Sequence, residues 1–396
     1  MSVSSISSVD LVKLTDDIKA WGQALGFQQV GISDIDLKQH EAALQQWLDN
    51  GYHGQMNYME DRGMMRARPA ELVPGTVRVI SVRMDYLPPD ASFARHLKDN
   101  HIAYISRYAL GRDYHKVLRK RLKQLGEKIT AALADTQYRP FVDSAPVLEH
   151  AIAEKAGLGW TGKHSLTLNR QAGSWFFLGE LFINLPLPVD QPVEEGCGSC
   201  NACITMCPTG AIVAPYQVDA RKCISYLTIE YDGVIPLALR PLMGNRIYGC
   251  DDCQLVCPWN RFASVTTETD FQPRKMLHGQ SLLTLFEWDE AQFLRYTEGS
   301  PIRRIGYQKW QRNLAVALGN ARPSLIILSA LQKALPHAAA LVATHLEWAI
   351  ECQQEGLQEA GSGPPETATA VAKTAPQQRK TARLTRVIEK GLPRDA

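Results

Sequence analysis

The sequence predicts an α+β protein with three structured parts and a C-terminal tail. The chain has 396 residues, eight of its nine cysteines lie between positions 197 and 257, and after that region the apolar residues take helical spacing. A chain of this length normally folds as two or three domains. We expect a mixed α/β domain over 1–195, a cysteine-rich module over 196–262, a helical region over 263–358 and a tail over 359–396.

The composition is that of a globular protein without a dominant charge. Hydrophobic residues make up 45% and charged residues 21% of the chain, and the net charge is +2. Any contact with nucleic acid must therefore come from local basic patches. No apolar run approaches the ~18 residues of a membrane span, and Met1 to Lys13 lacks the basic flank and apolar core of a secretory signal. We expect a cytoplasmic protein without a membrane partner and, because no long heptad pattern is present, a monomer.

Periodicity and element-ending residues assign the elements of the first domain. Helices are predicted over 11–25, 37–50, 112–134 and 144–156, and strands over 27–32, 77–86, 139–143, 164–169 and 175–185. Gly26 and Gly51 end the first two helices, and Ser144 is expected to cap the fourth. The turn at 171–173 predicts that the last two strands form a hairpin.

The first cysteines have the spacing of iron–sulfur ligands. Cys197, Cys200, Cys203 and Cys207, followed by a proline, form C-x2-C-x2-C-x3-C-P, the run of bacterial ferredoxins. In such a run three thiolates bind one 4Fe–4S cluster, and the fourth binds the neighbouring cluster. Structural zinc sites also use C-x-x-C pairs, but they need neither the third cysteine at this spacing nor the C-P ending.

A second cysteine run is incomplete. Cys250, Cys253 and Cys257 precede a proline, but Ile247 stands where the first cysteine would be, and Cys223 is the obvious substitute. With exchanged fourth ligands, two clusters are predicted on these sets: Cys197, Cys200, Cys203 and Cys257, and Cys207, Cys223, Cys250 and Cys253. The remaining Cys352 is expected to be a buried structural thiol. Since nearly 200 residues precede this module and about 140 follow it, the chain is expected to use electrons rather than only carry them.

Two short motifs resemble cofactor-binding sequences but lack the required context. The glycines of 157–162 match a dinucleotide fingerprint, yet they follow a predicted helix, and His164 stands where a P-loop needs Ser or Thr. We expect these glycines to let the backbone approach a bulky ligand. Asp113-x-His115 resembles the start of the lower-ligand motif of some cobalamin enzymes, but Leu118 replaces its glycine. The start of a surface helix is favoured instead.

The last part of the chain predicts helices followed by a tail. Apolar stripes at 310–318 and 337–352 resemble a pair of HEAT-type helices. Residues 359–396 are rich in Gly, Pro, Thr, Ala and Gln, and the last 24 contain seven basic and two acidic side chains. We expect the tail to be disordered, with its charge serving solvation rather than RNA binding.

Four further segments complete a pattern that resembles the epoxyqueuosine reductase family. They are YALGRDYH at 108–115, FVDSAPVLE at 141–149, GLGWTGKHS at 157–165 and YGCDDC at 248–253, and they occur in order with the cysteine runs. The resemblance covers residues 10 to 355. It implies an N-terminal cobalamin-binding domain akin to that of reductive dehalogenases, a ferredoxin-like module with two 4Fe–4S clusters and a HEAT-like helical region.

The resemblance also implies a reaction. A low-potential donor supplies two electrons through the clusters, cob(I)alamin attacks the epoxide of epoxyqueuosine at the wobble base of tRNAs with GUN anticodons, and queuosine and water are formed. Cobalamin is expected base-off, with no protein side chain on cobalt, because no lower-ligand motif is complete. Two other functions stay open: a reductive-dehalogenase-like corrinoid oxidoreductase acting on a small molecule, which is disfavoured by the lack of a twin-Arg signal, and a two-cluster electron carrier.

Asp143 matches the family's proposed proton donor. Attack on an epoxide carbon generates an alkoxide that a nearby acid must protonate. For Asp143 to carry that proton near neutrality, desolvation must raise its pKa. The alternative is that Asp143 only initiates a helix, although Ser144 can already do so.

The remaining site predictions follow from position in the matched segments. The expected cobalamin contacts are Arg66, Ser106, Asp143, Thr167 and, through its backbone, Asp251. Arg66 could instead be a solvated surface charge, and Ser106 and Thr167 could be strand-face hydroxyls. An anticodon loop favours basic and aromatic side chains near the pocket rim. The candidates for RNA contact are Arg303, Arg304, Lys309 and Arg312, which could also form a solvated face.

Overall fold

A four-stranded antiparallel sheet forms the centre of the N-terminal part. The structure, a computed structural model, describes residues 10–361 and 371–391. The strands of this part are β1 (Gln29–Ser33), β2 (Arg78–Asp85), β3 (Tyr104–Ile105), β4 (Tyr138–Phe141), β5 (Trp160–Thr161), β6 (Thr167–Leu168) and β7 (Phe176–Ile183). Its helices are α1 (Leu11–Ala24), α2 (Glu41–Asp49), α3 (Pro69–Leu72), α4 (Phe93–Lys98), α5 (Tyr114–Ala132) and α6 (Glu149–Lys155). The sheet order is β1-β2-β7-β4.

Helices cover both faces of this sheet. Leu118 of α5 packs with Leu181 of β7, whereas Ile152 of α6 packs with the next residue of the strand, Phe182. Because successive residues of a strand point to opposite faces, α5 and α6 lie on opposite sides, and all of β7 is buried. The mixed α/β prediction is confirmed, as are the helices predicted over 11–25, 37–50 and 112–134 and the strands over 27–32, 77–86 and 139–143, with shifted ends.

Two local predictions for this part are wrong. The strands predicted over 164–169 and 175–185 do not form a hairpin, because β6 pairs with β5 while β7 pairs with β2 and β4. The turn closes only an isolated bridge between Asn169 and Gly173. The helix predicted from Ser144 begins at Glu149, since the Ser144 hydroxyl bonds to the carbonyl of Val142 instead of capping a helix.

The glycine-rich segment serves internal packing. A Cβ on Gly159 would lie 2.1 Å from the carbonyl oxygen of Leu168. Only glycine therefore lets β5 approach β6 this closely. The expectation that this close approach accommodates a bulky ligand is wrong at Gly159.

The cysteine-rich module is joined to the N-terminal part through a parallel strand pair. The module contains α7 (Ala202–Met206), β8 (Ile212–Ala214), β9 (Gln217–Val218), α8 (Ile224–Ile229), α9 (Arg240–Met243), β10 (Arg246–Tyr248) and α10 (Asp252–Leu255). Strand β10 pairs with β3, so that Arg246 is opposite Tyr104 and Tyr248 is opposite Ile105. This pairing fixes the loop that begins at Cys250 against the first domain.

The predicted helical region follows the module. It contains α11 (Leu282–Phe286), α12 (Glu290–Tyr296), α13 (Gly306–Gly319), α14 (Leu325–Ala334) and α15 (Ala340–Gly361). Helices α13 and α15 pack along each other, and the Gln353 side chain of α15 donates to the carbonyl of Leu318 in α13 at 2.8 Å. Cys352 of α15 is only half-buried, so the prediction of a buried thiol is wrong. None of the helices within the described ranges is long and apolar enough to cross a membrane.

The C-terminal tail contains a helix that the sequence prediction of disorder missed. Helix α16 (Val371–Gly391) packs on α4, and its Leu384 and Ile388 are buried in the N-terminal core. Lys380 donates to the backbone carbonyl of Cys207 at 2.9 Å. The tail prediction at 362–370 and 392–396 lies outside the described residues.

Candidate active site

The eight clustered cysteines form two groups around separate cavities. A cavity of about 320 Å³ is lined by Cys197, Cys200, Cys203 and Cys257. A larger cavity of about 540 Å³ is lined by Cys207, Cys223, Cys250 and Cys253. All eight thiols are free, and the two groups are the two ligand sets that the spacing predicts.

Burial and mutual proximity disfavour negative charge on these thiols. Burial, followed by the neighbouring thiols of Cys223 and Cys207, raises the pKa of Cys253 well above its usual value. Burial also raises the pKa of Cys257 to about 12, with Cys197 and Cys203 adding to the rise. Among the described residues no three His, Cys, Asp or Glu side chains converge as ligands of a single ion would. The cysteines of a 4Fe–4S cluster bind different iron atoms and therefore stand further apart.

Asp251 and Asp252 fix the loop between two of the cysteines. Asp251 is fully buried and accepts hydrogen bonds from the Tyr104 hydroxyl at 2.8 Å, the Ser106 hydroxyl at 2.5 Å and the Arg107 backbone at 3.1 Å. Asp252 forms a buried ion pair with Arg246 at 2.7 Å. The side chain of Asp251 is thus used within the protein, and the contact predicted for its backbone stays a prediction.

The larger cysteine-lined cavity continues into a second one of about 720 Å³. The residues that line both are Asp143, Glu149, His150, Ser165, Val218, Glu230 and Arg304. Ser106 and Thr167 line the first cavity, and Arg66 lines the second. Arg66 is buried and donates to the carbonyl of Tyr58 at 2.6 Å, so the alternative of a solvated surface charge is wrong. The Thr167 hydroxyl lies 2.7 Å from His150 Nδ1.

Asp143 lies where the two cavities meet, in the loop between β4 and α6. Its backbone is left-handed, with φ of 53°, which is uncommon for a residue with a side chain. Its carboxylate is 53% exposed and accepts hydrogen bonds from the Tyr114 hydroxyl and from His115 Nε2 at 3.2 Å. His115 Nδ1 contacts Asp113 at 2.8 Å. Because α6 begins six residues later, Asp143 does not initiate a helix.

The charge state of Asp143 differs from the prediction. Burial alone would raise the pKa of Asp143, but hydrogen bonds from His115 and Tyr114 outweigh burial and hold it below its usual value. Burial alone would lower the pKa of His115, but the carboxylates of Asp113 and Asp143 raise it to about 9. In the protein without substrate, the proton of this pair therefore resides on His115, and the predicted rise for Asp143 is wrong.

Sequence reasoning missed several residues that surround Asp143. Tyr114 and His115 belong to the motif that the sequence predicts to be the start of a surface helix, and their pairing with Asp143 requires α5 to lie beside β4. Glu149 accepts a hydrogen bond from the backbone N–H of Asp143, and the buried Glu180 of β7 lies behind it. An acidic residue within the apolar run 176–183 was the one signal that could have drawn attention to Glu180.

The four basic residues predicted to contact RNA differ in their surroundings. Arg303 is exposed, and Arg304 pairs with Glu230 and lines both cavities. Lys309 donates to the carbonyl of Ile229 at 3.0 Å and pairs with Asp232 at 2.7 Å. Arg312 is fully buried. Its prediction as an RNA contact is wrong, because its guanidinium bonds to backbone carbonyls of the cysteine-rich module.

The cysteine-rich module belongs to a class of iron–sulfur domains, because residues 196–260 match the family model of the 4Fe–4S double cluster binding domain. Residues 66–144 match the model described as epoxyqueuosine reductase QueG, DUF1730. Epoxyqueuosine reductase of Salmonella typhimurium is 62% identical over 388 residues, which are 98% of this chain and 98% of the relative. The chain belongs to the epoxyqueuosine reductase family.

Solved structures of this family share the fold. One is the crystal structure of an epoxyqueuosine reductase with an epoxyqueuosine-modified stem loop of tRNA-Tyr, which has a TM-score of 0.80 and 25% identity and covers 96% of this chain and 100% of that chain. Another, from Bacillus subtilis, has its catalytic aspartate loop swung out of the active site. Its TM-score is 0.80 at 25% identity, with 95% of this chain and 100% of that chain covered.

Proposed function

We propose that this protein reduces the epoxide of epoxyqueuosine to queuosine at the wobble position of tRNAs with GUN anticodons. Identity across nearly the whole length of a curated reductase supports the reaction, and the solved complex of a relative with a modified stem loop supports the substrate. The observation that carries the proposal is the position of Asp143, an acid at the junction of two large cavities, one of which reaches a group of four cysteines.

The two cysteine groups would hold two 4Fe–4S clusters. Cys200 is the exposed member of the smaller group, so electrons from a low-potential donor would enter there. The group around Cys253 lines the larger of the two cysteine-lined cavities and would deliver electrons one at a time to the cofactor bound in that cavity. This order needs no movement of the cysteine-rich module, because β10 is already paired to the first domain.

The larger of the two cysteine-lined cavities, of about 540 Å³, fits cobalamin, the cofactor that the family resemblance implies. Ser106, Thr167 and the backbone at Asp251 would contact it, with Arg66 in the adjoining cavity. One observation is compatible with an absent polar ligand: the buried His164 lines this cavity and the smaller cysteine-lined one, and its Nε2 has no hydrogen-bond partner among the described residues. Because His164 Nδ1 accepts from the Leu166 backbone, Nε2 carries the proton and is a donor, not a ligand for cobalt. This geometry supports the base-off expectation.

Bound cobalamin would supply a low-potential nucleophile toward the epoxide carbon. The chain's own contribution is a proton for the epoxide oxygen, delivered by Asp143. A substrate that enters the cavity would remove water from the half-exposed carboxylate, and desolvation raises the pKa of an acid. The proton held by His115, 3.2 Å away, can then move to Asp143 and on to the oxygen. Tyr114 keeps the carboxylate oriented.

The cavity entrance would bind the anticodon loop. Unpaired loop nucleotides are recognised by basic and aromatic side chains, and Arg304 lines both cavities. Arg303 is its exposed neighbour, and Lys309 follows one turn later. These three residues remain the proposed RNA contacts, and the protein is proposed to act as a monomer.

Conversion of an epoxyqueuosine-containing stem-loop by anaerobically reconstituted protein tests this function. Wild-type protein with cobalamin and a strong reductant is expected to form queuosine, detected by mass spectrometry of the nucleosides. Asp143→Asn is expected to lose about 100-fold or more of the rate, as for removal of a general acid, and the matched variant Ser144→Ala to keep it. Reduction of a protein or small-molecule acceptor without conversion of RNA would replace this function with one of the two alternatives.

A further inference from the structure

The proposed reaction needs two protons, and the residues described so far supply one. This inference rests on the proposed function: reducing an epoxide to an alkene takes up two electrons and two protons and releases the oxygen as water. Asp143 with His115 protonates the oxygen when the ring opens. The resulting hydroxyl leaves readily only when it is protonated, so a second acid is needed in the same cavity.

Glu180 places a carboxyl group where the fold calls for an apolar side chain. It lies in the middle of β7, opposite Ser81 of β2 and Phe141 of β4, and is fully buried. Leu178 and Phe182, on the same face of the strand, pack in the apolar layers beneath α6. Across residues 10–361 and 371–391, no N–H or O–H group of another residue donates to either oxygen of Glu180.

A neutral carboxylic acid suits that position. Burial, followed by the charge of Glu149, raises the pKa of Glu180 well above its usual value, so this side chain keeps its proton at neutral pH. Its O–H can then donate to the carboxyl of Glu149. A buried acid that is held neutral becomes a hydrogen-bond donor in this way, which explains why a carboxyl without donors of its own is tolerated here.

Glu149 connects this buried acid with the cavities. It is the first residue of α6, it accepts the backbone N–H of Asp143, and it lines both cavities beside Asp143. Burial and the charge of Asp143 raise the pKa of Glu149 to about 8, although the hydrogen bonds from Asp143 and Glu180 oppose the rise. Glu149 therefore carries a proton at neutral pH that it can release.

We propose that Glu149 gives the second proton to the hydroxyl group that leaves as water, and that Glu180 is a positioning residue whose O–H stabilises the carboxylate left on Glu149. In this step the O–H bond of Glu149, the C–O bond of the substrate and the bond between the substrate carbon and the attacking nucleophile would break, an O–H bond of water would form, and the electron pair of the broken carbon–nucleophile bond would become the carbon–carbon double bond. The two electrons that arrive through the clusters would replace that pair on the nucleophile. Solvent returns a proton to Glu149 after the product has left.

Several other groups act on the charge of Glu149. They are Asp143 in the preceding loop, Tyr114 and His115 of α5, Arg66 of the short helical segment Gly63–Ala67, and Glu180 of β7. The negative charge of Asp143 favours the protonated form of Glu149, and the positive charge of His115 favours its ionised form. The variants that test Glu149 must therefore leave Asp143 and His115 in place.

The proton on Glu149 can be measured without cofactors or turnover. Infrared spectra recorded as a function of pH are expected to show the C=O stretch of one protonated carboxyl disappearing with a midpoint near pH 8. Glu149→Gln removes this transition. Glu180→Leu moves it to higher pH, because the carboxylate loses its donor, whereas Glu180→Gln keeps a donor and leaves the midpoint in place. The matched variant Glu154→Gln, also in α6, changes nothing. A transition that persists in Glu149→Gln overturns the proposal.

Single-turnover conversion by reduced holoenzyme then separates the proposal from the proposed function. Glu149→Gln is expected to slow queuosine formation about 100-fold or more with unchanged Kd for the stem-loop. The wild-type rate is expected to fall above about pH 8, and in Glu180→Leu the fall is expected to begin at higher pH. A Glu149→Gln enzyme with the wild-type rate overturns the proposal and leaves the proposed function intact. A wild-type enzyme that forms no queuosine overturns the proposed function, and the infrared measurement still decides whether Glu149 holds a proton.

Discussion

Replacement of Arg312 distinguishes a structural role from an RNA-binding role. Its fully buried guanidinium donates to the backbone carbonyls of Leu227 at 2.7 Å, Tyr231 at 2.7 Å and Gly233 at 3.0 Å. Burial lowers its pKa to about 10, so it is still charged at neutral pH. In Arg312→Met the apolar stem is kept, but three carbonyls lose their donor.

The size of the effect follows from these contacts. Each buried carbonyl left without a donor costs about 1–3 kcal/mol, and water that enters the vacated space offsets part of that loss. We therefore expect Arg312→Met to be destabilised by about 3–5 kcal/mol, as when other buried charged contacts are broken. The exposed Arg303 supplies the matched control, since surface substitutions usually change stability by about 0.5 kcal/mol or less. Thermal melting of the two variants and the wild type measures this difference.

Binding of the stem-loop completes this test. Arg312→Met, measured on the folded fraction below its melting temperature, is expected to bind RNA with the wild-type Kd. Arg303→Ala is expected to melt like the wild type and to bind less tightly, with the slope of log affinity against log salt reduced by about 0.7 for one lost phosphate contact. An Arg312→Met protein that melts like the wild type but has lost RNA affinity would refute the assignment of Arg312 to the interior.

Three further outcomes are expected. Cys257→Ala is expected to lose one of the two clusters, which is measured as iron content. Cys352→Ser, a variant outside both cysteine groups, is expected to retain all the iron. Equal iron loss in both variants would contradict the ligand sets. Folding raises the pKa of His115 to about 9. The contribution of His115 to stability is therefore complete below its unfolded pKa of about 6.5 and is lost as the pH rises through about 9. His115→Asn should make the melting temperature less dependent on pH over that range, and an unchanged dependence would contradict the pairing with Asp143. Leu384→Ala removes a fully buried side chain, a change that typically lowers the free energy of unfolding by about 2–5 kcal/mol. Helix α16 should therefore be cleaved faster in limited proteolysis, and unchanged cleavage would argue against its docking on α4.

The part of the site that the sequence predicts is the part encoded by local spacing. Cysteines two or three residues apart can reach one cluster whatever the rest of the fold does, so the local members of each ligand set follow from counting, whereas the distant members follow from the exchanged fourth ligands of bacterial ferredoxins and from the one cysteine left to replace the missing ligand. The placement of Asp143 came from a matched motif. Its partner His115 lies 28 residues away, and only the packing of α5 beside β4 brings the two together. The direction of the pKa shift of Asp143 depends on that pairing, so the sequence predicted it wrongly.

The remaining errors also come from tertiary contacts. A basic residue on a helix looks the same in sequence whether it faces solvent or backbone carbonyls, and this is why Arg312 was grouped with Arg303. The hairpin failed because β7, which is apolar on both faces, is stabilised best at the centre of the sheet, away from β6. The tail composition predicts disorder, yet the spacing of Leu384 and Ile388 by one helical turn gives α16 an apolar stripe that α4 covers.

Mössbauer spectroscopy of protein purified without oxygen tests the central claim most directly, because the whole electron path depends on what the two cysteine groups hold. The spectrum is expected to contain two 4Fe–4S clusters per chain, and in Cys257→Ala one of them should be lost or altered while the other is unchanged. Stoichiometric zinc without iron, or a single cluster in the wild-type protein, would contradict the account.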